Sequence, residues 1–372
     1  MPIIEIIPSN IRIYIYTWFN KLKRSNNKNK SNVNNEKSKT TLKSLIKNKF
    51  KQDLNKNNNY NHNIATNNNT NVNLTKSSFR FVCMLGSGQF GEVYLVECKQ
   101  DNKYYAIKMI NKKQMIQQDL TRIVKTEQKV FELISDDVNN QNKTCPFLVN
   151  LLTCFQTLEH VCFVMDYASG GDLITSLLKE NNYPLSRVRF YSACIVLGLE
   201  YLHNKKILYR DLKLDNLLIT SDGYLKIADF GISKTDFKLN DRTNTFCGTD
   251  EYMAPEILNY QSYSRAVDWW ALGIVVYEMF VGKMPFANKY QRCTKDPMFP
   301  AYLLQESKSF ISKLLEKKEI LRLGSSNNDA EDVKKHAFFK NLKWNDLMSK
   351  SLKAPFIPII VSKFDFIYSL IF

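Results

Sequence analysis

The stretch Tyr209-Arg-Asp-Leu-Lys-Leu-Asp-Asn216, followed thirteen positions later by Asp229-Phe-Gly231, limits this chain more than any other feature. Moving a phosphoryl group needs a carboxylate to orient the attacking hydroxyl and a cation to neutralise charge on the group in flight. It also needs oxygen ligands that fix Mg²⁺ against the phosphates. Asp211 is the residue type for the first task, Lys213 for the second, and Asn216 and Asp229 for the third. A surface loop of mixed charge would read the same over eight residues alone, so the flanking segments decide between the two.

Those segments fit. Leu85, Gly86, Ser87, Gly88, Gln89, Phe90 and Gly91 lie between strand-type residues and end at Val93. Glycine there lets a hairpin backbone approach nucleotide phosphates where any Cβ would intervene. Taken alone the three glycines are only a flexible turn. Seventeen residues after Gly91, Tyr105-Ala-Ile-Lys108 reads as a strand ending in a lysine placed to grip α- and β-phosphates. A helix expected over 121–134 then carries Glu127, which can pair with Lys108.

The net charge of +16 is unevenly spread, because residues 1–76 hold 14 Lys or Arg against 3 Asp or Glu. The same segment contains 20 Asn and little core-forming pattern, so it reads as a disordered extension that cannot bury enough apolar surface to offset its chain entropy. Its first twenty residues are apolar but interrupted by Glu5, Pro8 and Arg12, short of a spanning helix. They lack the form of a secretory signal. Followed by Lys21, Lys23 and Arg24, they suit contact with an anionic membrane surface, set against a start without function. No base-reading module stands behind the basic tail, so no specific nucleic acid is expected. Eight scattered cysteines and four histidines form neither a disulfide framework nor a zinc site, which points to a reducing, cytoplasmic compartment.

With Ala254-Pro-Glu256, Asp268-Trp-Trp-Ala-Leu-Gly273 and Arg322 in place, the chain resembles the eukaryotic protein kinases over 79–358. Tyr209 stands where those kinases more often carry His. Together with Thr245-Phe-Cys-Gly-Thr249 and Ala354-Pro-Phe-Ile-Pro358 it resembles the AGC group of serine/threonine kinases. Phe147-Leu-Val-Asn, Asp241-Arg-Thr-Asn-Thr-Phe246 and Asp329-Ala-Glu-Asp-Val-Lys-Lys-His336 are most similar to the protein kinase C-related (PKN) kinases.

The resemblance implies further roles. Met165 would stand behind the adenine pocket, Asp166 to Ala168 would form the hinge along the adenine edge, and Val93 and Ala106 would cover the base. Phe131, Leu151, Tyr209 and Phe230 would stack between the lobes. Thr245 would take an activating phosphate from an upstream kinase, received by Arg210 and Lys234, with Thr243 as the competing acceptor. Asp172, Asp215 and Glu278 would face basic residues upstream of the phosphoacceptor. Some positions depart from the pattern. Rho-binding hairpins are absent, residues 135–144 form a polar insertion expected to lengthen a loop, and Asp250 replaces the proline usual after Gly-Thr. The chain between Phe286 and Phe299 is about six residues short. After Pro358 neither a turn motif nor a Phe-x-x-Phe motif follows.

The expectation is therefore an α+β, bilobal protein kinase fold: a small lobe mainly of antiparallel sheet with one key helix, and a mainly helical large lobe. Its parts would be an extension over 1–76, a catalytic domain over 77–340 and a truncated AGC-type tail over 341–372. The expected activity is ATP- and Mg²⁺-dependent phosphorylation of protein serine and threonine by a monomer. Two rivals stay open: a pseudokinase scaffold with impaired turnover, and a membrane or RNA tether acting through the basic arm.

Overall fold

The computed structural model describes residues 74–88, 91–139 and 144–359, without the side chains of 136–139. The basic extension up to residue 73, the chain beyond 359, and Gln89 and Phe90 therefore lie outside the described residues. Strands β1 (Phe79–Gly88), β2 (Gly91–Cys98) and β3 (Tyr104–Asn111) run as successive antiparallel hairpins. Val96 and Cys98 on β2 and Ile107 and Met109 on β3, two residues apart on each strand, point to one face of the sheet. With Phe79, Cys162 and Val164 they form the core of this sheet.

Asn111 ends β3 and caps a short helix α1 (Lys112–Gln117), accepting from Lys113 N at 2.9 Å and Gln114 N at 3.2 Å. Helix α2 (Thr121–Asn139) follows. Its buried positions Val124, Glu127, Val130, Phe131 and Ile134 fall on one face, with Arg122, Lys125 and Lys129 exposed. The helix runs five residues past the end expected at 134, so part of the polar insertion lengthens a helix instead of a loop. Asp136, Asp137 and Asn139 are weak helix formers, but with neither Gly nor Pro among them nothing breaks the run. Strands β4 (Leu151–Gln156) and β5 (His160–Asp166) complete a five-stranded sheet in the order β1-β2-β3-β5-β4.

The rest is mainly helical. Helices α3 (Leu173–Glu180) and α4 (Leu185–Asn204) precede a small hairpin of β6 (Leu217–Ile219) and β7 (Leu225–Ile227). After α5 (Pro255–Leu258) comes α6 (Ala266–Val281), in which every residue from Ala266 to Phe280 is buried. A helix buried on every side belongs at the centre of a helical body. Gly282 stops it in the left-handed conformation, φ 74°, where a Cβ would meet Asn181 O at 2.0 Å. Helices α7 (Lys289–Thr294), α8 (Gln305–Leu314), α9 (Ala330–Lys334) and α10 (Trp344–Met348) finish the described chain. Arg322 joins Glu256 by two hydrogen bonds of 2.7 and 2.9 Å, both side chains buried. Among the described residues no helix is long and apolar enough to cross a membrane. The architecture is the bilobal kinase fold, an antiparallel sheet with its helix ahead of a helical body.

Candidate active site

Register places the first half of the site. Val93 on β2 pairs with Lys108 on β3, and Ala106 pairs with both Leu95 and Met165. The neighbouring strands thus bring Val93, Ala106, Lys108 and Met165 to one region of the sheet. Leu85 and Gly86 lie on the opposing β1 strand, where Gly86 pairs with Val93 and Gly88 with Gly91. An added Cβ at Gly91, φ 131°, would meet Met109 O at 2.3 Å, so only glycine closes that hairpin. At Gly86 and Gly88 a Cβ would meet nothing within 4 Å. At the other rim, Asp166 ends β5. Its N–H donates to Asn150 O at 3.1 Å, and its carboxylate takes Lys226 Nζ at 2.6 Å. Ala168, two residues on, is buried.

Lys108 Nζ donates to both oxygens of Glu127, at 2.8 and 2.9 Å, and to Asp229 Oδ1 at 3.2 Å. Burial pulls the Lys108 ammonium down, but the two carboxylates outweigh it and its pKa is raised. Burial likewise pushes at Asp229, and the Lys108 charge reverses that, leaving its carboxyl below the usual range. The lysine is held protonated and Asp229 ionised, the states that phosphate and a divalent cation require.

The second half is the loop over 209–216. Asp268, near the start of α6, accepts Tyr209 N at 3.0 Å and Arg210 N at 2.8 Å, turning the backbone so that Arg210 takes φ 70°. Asp211 follows. Its Oδ1 accepts the Thr249 hydroxyl at 2.8 Å, and its Oδ2 accepts Lys213 Nζ and Asn216 Nδ2, each at 2.9 Å. Lys213 also donates to Thr249 Oγ1 at 2.9 Å. Tyr209 donates its hydroxyl to Ala228 O at 2.5 Å, and its ring meets Phe230 edge-on at 5.9 Å. Phe230 in turn meets Phe131 of α2 at 5.4 Å. With Leu151 also buried, these aromatic contacts join the sheet and its helix to the helical body.

Asn216 commits its Nδ2 to Asp211, which leaves the amide oxygen as its acceptor. One carboxylate and one amide oxygen suit Mg²⁺, which keeps several waters and takes phosphate oxygens instead of an all-protein cage. Among the described residues no cluster of three or more His, Cys, Asp or Glu competes as a metal site.

Thr245 is exposed, whereas Thr243 is buried, accepts Lys234 Nζ at 2.9 Å and pairs through its backbone with Tyr263. The hydroxyls of Thr243 and Thr245 lie 3.4 Å apart. Arg210 donates to Ile232 O at 2.8 Å, Ser233 O at 3.1 Å and the Tyr263 hydroxyl at 3.4 Å, and that hydroxyl donates to Thr245 O at 2.6 Å. The three carboxylates expected to face a substrate differ in setting. Asp215 is exposed, and Asp172 caps α3 by accepting Thr175 N at 2.7 Å. Glu278 is buried and accepts the Tyr252 hydroxyl at 2.7 Å. Burial pushes its carboxyl up to about 7, and the nearby Asp215 and Glu251 charges add to that.

Three parts of the site escape a reading of the sequence alone. One is the Thr249 bridge between Asp211 and Lys213. Another is the Asp268 carboxylate beneath the loop, which is itself hydrogen-bonded to His203 Nε2 at 2.9 Å. His203 Nδ1 then reaches Asp329 at 3.0 Å, which also takes Arg265 at 2.8 Å and Trp269 at 2.7 Å. The third is Arg292, which donates to the carbonyl of Asp250. No short motif announces partners tens of residues apart.

Comparison with known proteins gives the family. Residues 79–339 match the family described as "Protein kinase domain". The chain is 44% identical over 295 residues to Serine/threonine-protein kinase N2 of Danio rerio, covering 78% of this chain and 30% of that protein. To Serine/threonine-protein kinase N3 of Mus musculus it is 42% identical over 296 residues, 78% of this chain and 33% of that one. To Protein kinase C of Aspergillus fumigatus it is 43% identical over 293 residues, 77% of this chain and 26% of that one. The chain thus spans about a third or less of the length of these relatives. On the domain match, the motifs and the relatives together, this chain belongs to the protein kinase family, in the AGC branch with the protein kinase C-related and protein kinase C-like enzymes.

Proposed function

We propose that the chain is a serine/threonine protein kinase that transfers the γ-phosphate of ATP to hydroxyls in proteins. The observation that carries this reading is the joint set of contacts at Lys108 and Asp211: a lysine shared between Glu127 and Asp229, and an aspartate whose two oxygens are separately engaged. A scaffold without turnover has no need to keep both halves assembled. In the proposed division of labour Lys108 holds the α- and β-phosphates, and Glu127 fixes Lys108. The glycines of the β1–β2 hairpin, with Leu85 and Ser87, would cover the phosphates, a role the sequence extends to Gln89 and Phe90, which lie outside the described residues. Val93, Ala106, Met165, Asp166 and Ala168 enclose the base. Asn216 and Asp229 would hold Mg²⁺, which when bound supplies positive charge to the phosphate oxygens. Asp211 orients the acceptor hydroxyl and takes its proton, while Lys213 neutralises charge on the transferred group.

The acidic neighbourhood of Asp215, Glu251 and Glu278 supports a preference for Arg or Lys upstream of the acceptor, since charge-assisted contacts to arginine outweigh neutral ones. Thr245 is exposed while Thr243 is buried against Lys234, and Tyr263 links the Thr245 carbonyl to Arg210, which supports Thr245 as the phosphate-accepting switch for an upstream kinase. Eight free thiols fit a reducing compartment, and hence a cytoplasmic location. Incubating the whole chain with radiolabelled ATP, Mg²⁺ and matched peptides bearing Ser, Thr or Tyr after an Arg-rich segment tests the reading. Label on Ser and Thr is expected. Label on Tyr alone, or only on peptides without basic residues, refutes it.

A further inference from the structure

Thr249 joins the candidate base to the segment that follows it, because its hydroxyl sits on Asp211 Oδ1 at 2.8 Å and receives Lys213 Nζ at 2.9 Å. Whatever fixes the backbone after Thr249 therefore fixes the setting of Asp211. Thr249 is extended, φ −85° and ψ 123°, which is the conformation a residue adopts before proline. Asp250 then opens a 3-10 turn, Asp250–Tyr252. At the first position of such a turn a proline's locked φ fits, and its missing N–H costs little. The extended Thr249 and the turn that follows it are compatible with the proline that the kinase pattern carries here. Aspartate gives up that built-in restraint.

Something else restrains it. Arg292, on α7, donates through Nη1 to the main-chain oxygen of Asp250 and brings Nη2 within 3.4 Å of its carboxylate. The arginine side chain is 6% exposed and the aspartate 69%, so the guanidinium holds the turn from its buried side. Helix α7 is itself anchored: Asn288 caps it by accepting Gln291 N at 3.0 Å, and Lys289 donates to Leu258 O at 2.6 Å at the end of α5. α7 lies in the shortened stretch between Phe286 and Phe299. Two departures from the kinase pattern, the lost proline and the shortened stretch, thus meet in one contact.

We propose that Arg292 is a positioning residue, whose tie to Asp250 holds residues 249–252 so that Thr249 meets Asp211. It does by polar contacts what a proline does by its ring. The inference rests on the reading of Asp211 as the base, and the test separates the two.

Full-length wild type, Arg292→Ala, Asp250→Pro and the double variant are compared by peptide phosphorylation and by amide hydrogen exchange over 249–252, with Asp211→Asn alongside. Arg292→Ala is expected to speed exchange in that segment. It should also lower kcat/KM for peptide by roughly tenfold or more, with KM for ATP unchanged, since small misplacements near reacting groups are costly. Asp250→Pro added to Arg292→Ala should restore both slow exchange and turnover. Unchanged exchange in Arg292→Ala overturns the proposal whatever the turnover. So does a loss that spreads to KM for ATP and to thermal stability and is not rescued by proline, because that pattern marks general packing. If Arg292→Ala fails to fold, Arg292→Gln takes its place and the same rescue is required. Wild type without transfer, or Asp211→Asn with normal transfer, defeats the reading of the base instead, and exchange still decides the role of Arg292.

Discussion

Arg210 and Asp229 adopt φ of 70° and 58°, a region that residues with side chains seldom occupy. Each such position costs about 1–3 kcal/mol and persists only where its surroundings over-determine it. For Arg210 the restraint is Asp268, which accepts both loop amides, and for Asp229 it is the Lys108 ammonium. Asp268→Ala strands two amides and His203 in a buried site, so it should destabilise the chain by about 3–5 kcal/mol, readable in a denaturant midpoint. Less than 1 kcal/mol would mean water or a rearranged loop replaces the carboxylate. Glu278 gives a second prediction. Its carboxyl, pushed up to about 7, is largely neutral below that pH and ionised above it. KM for an Arg-containing peptide should therefore fall as pH rises from about 6 to 8. The same series with Glu278→Gln should be flat, and a slope that survives the substitution would take Glu278 out of substrate recognition.

Among the elements, α4 and α6 and the approach to α9 meet at His203, Asp268 and Asp329. Burial alone would pull His203 down, but the Asp329 and Asp268 carboxylates push it up to about 9. Asp329 is correspondingly lowered against burial by His203 and Arg265. A histidine raised in the folded state adds stability that is complete below its unfolded value of about 6.5 and is lost as pH rises through its folded value. The thermal midpoint of wild type should thus exceed that of His203→Gln most at pH 6 and least at pH 9.5. A constant gap would mean that the histidine acts without its charge. Residues 229–256 add another prediction: relative to wild type isolated with Thr245 phosphorylated, Thr245→Ala should lower turnover, whereas Thr243→Ala should mainly cost stability, because Thr243 is buried against Lys234. Mass spectrometry finding phosphate on Thr243 and none on Thr245 would reverse the assignment. These elements also show what the sequence makes legible. Lys108 and Glu127 are readable because a strand and then an amphipathic helix follow the glycines at fixed spacing. The end of α2 is not, since Asp136, Asp137 and Asn139 weaken a helix without stopping it. Asp329 is not either, for in sequence it lies in a polar run, Asn327-Asn-Asp329, and only folding brings it 126 residues back to His203.

For the whole molecule, the described residues share one compact unit, and the domain match ends at 339. Beyond that point Phe356 lies against the Arg187 guanidinium at 3.5 Å, and Tyr224 donates its hydroxyl to Leu352 O, so the first part of the tail is bound to the helical body. The membrane contact expected from the sequence falls on residues outside those described. In the proposed function two halves of a phosphoryl-transfer site, one on the sheet and one on the helical body, are assembled for turnover. Asp211→Asn tests this most directly, because the proposed base would face the acceptor and not the nucleotide. Removing a general base typically costs about 10²–10⁴ in rate. Peptide phosphorylation and nucleotide affinity are measured together on the full chain, wild type beside Asp211→Asn. The account predicts transfer by wild type, a loss of at least about a hundredfold in kcat in the variant, and the same nucleotide affinity in both. Wild type that binds nucleotide without transferring phosphate, or a variant that transfers at the normal rate, would contradict it.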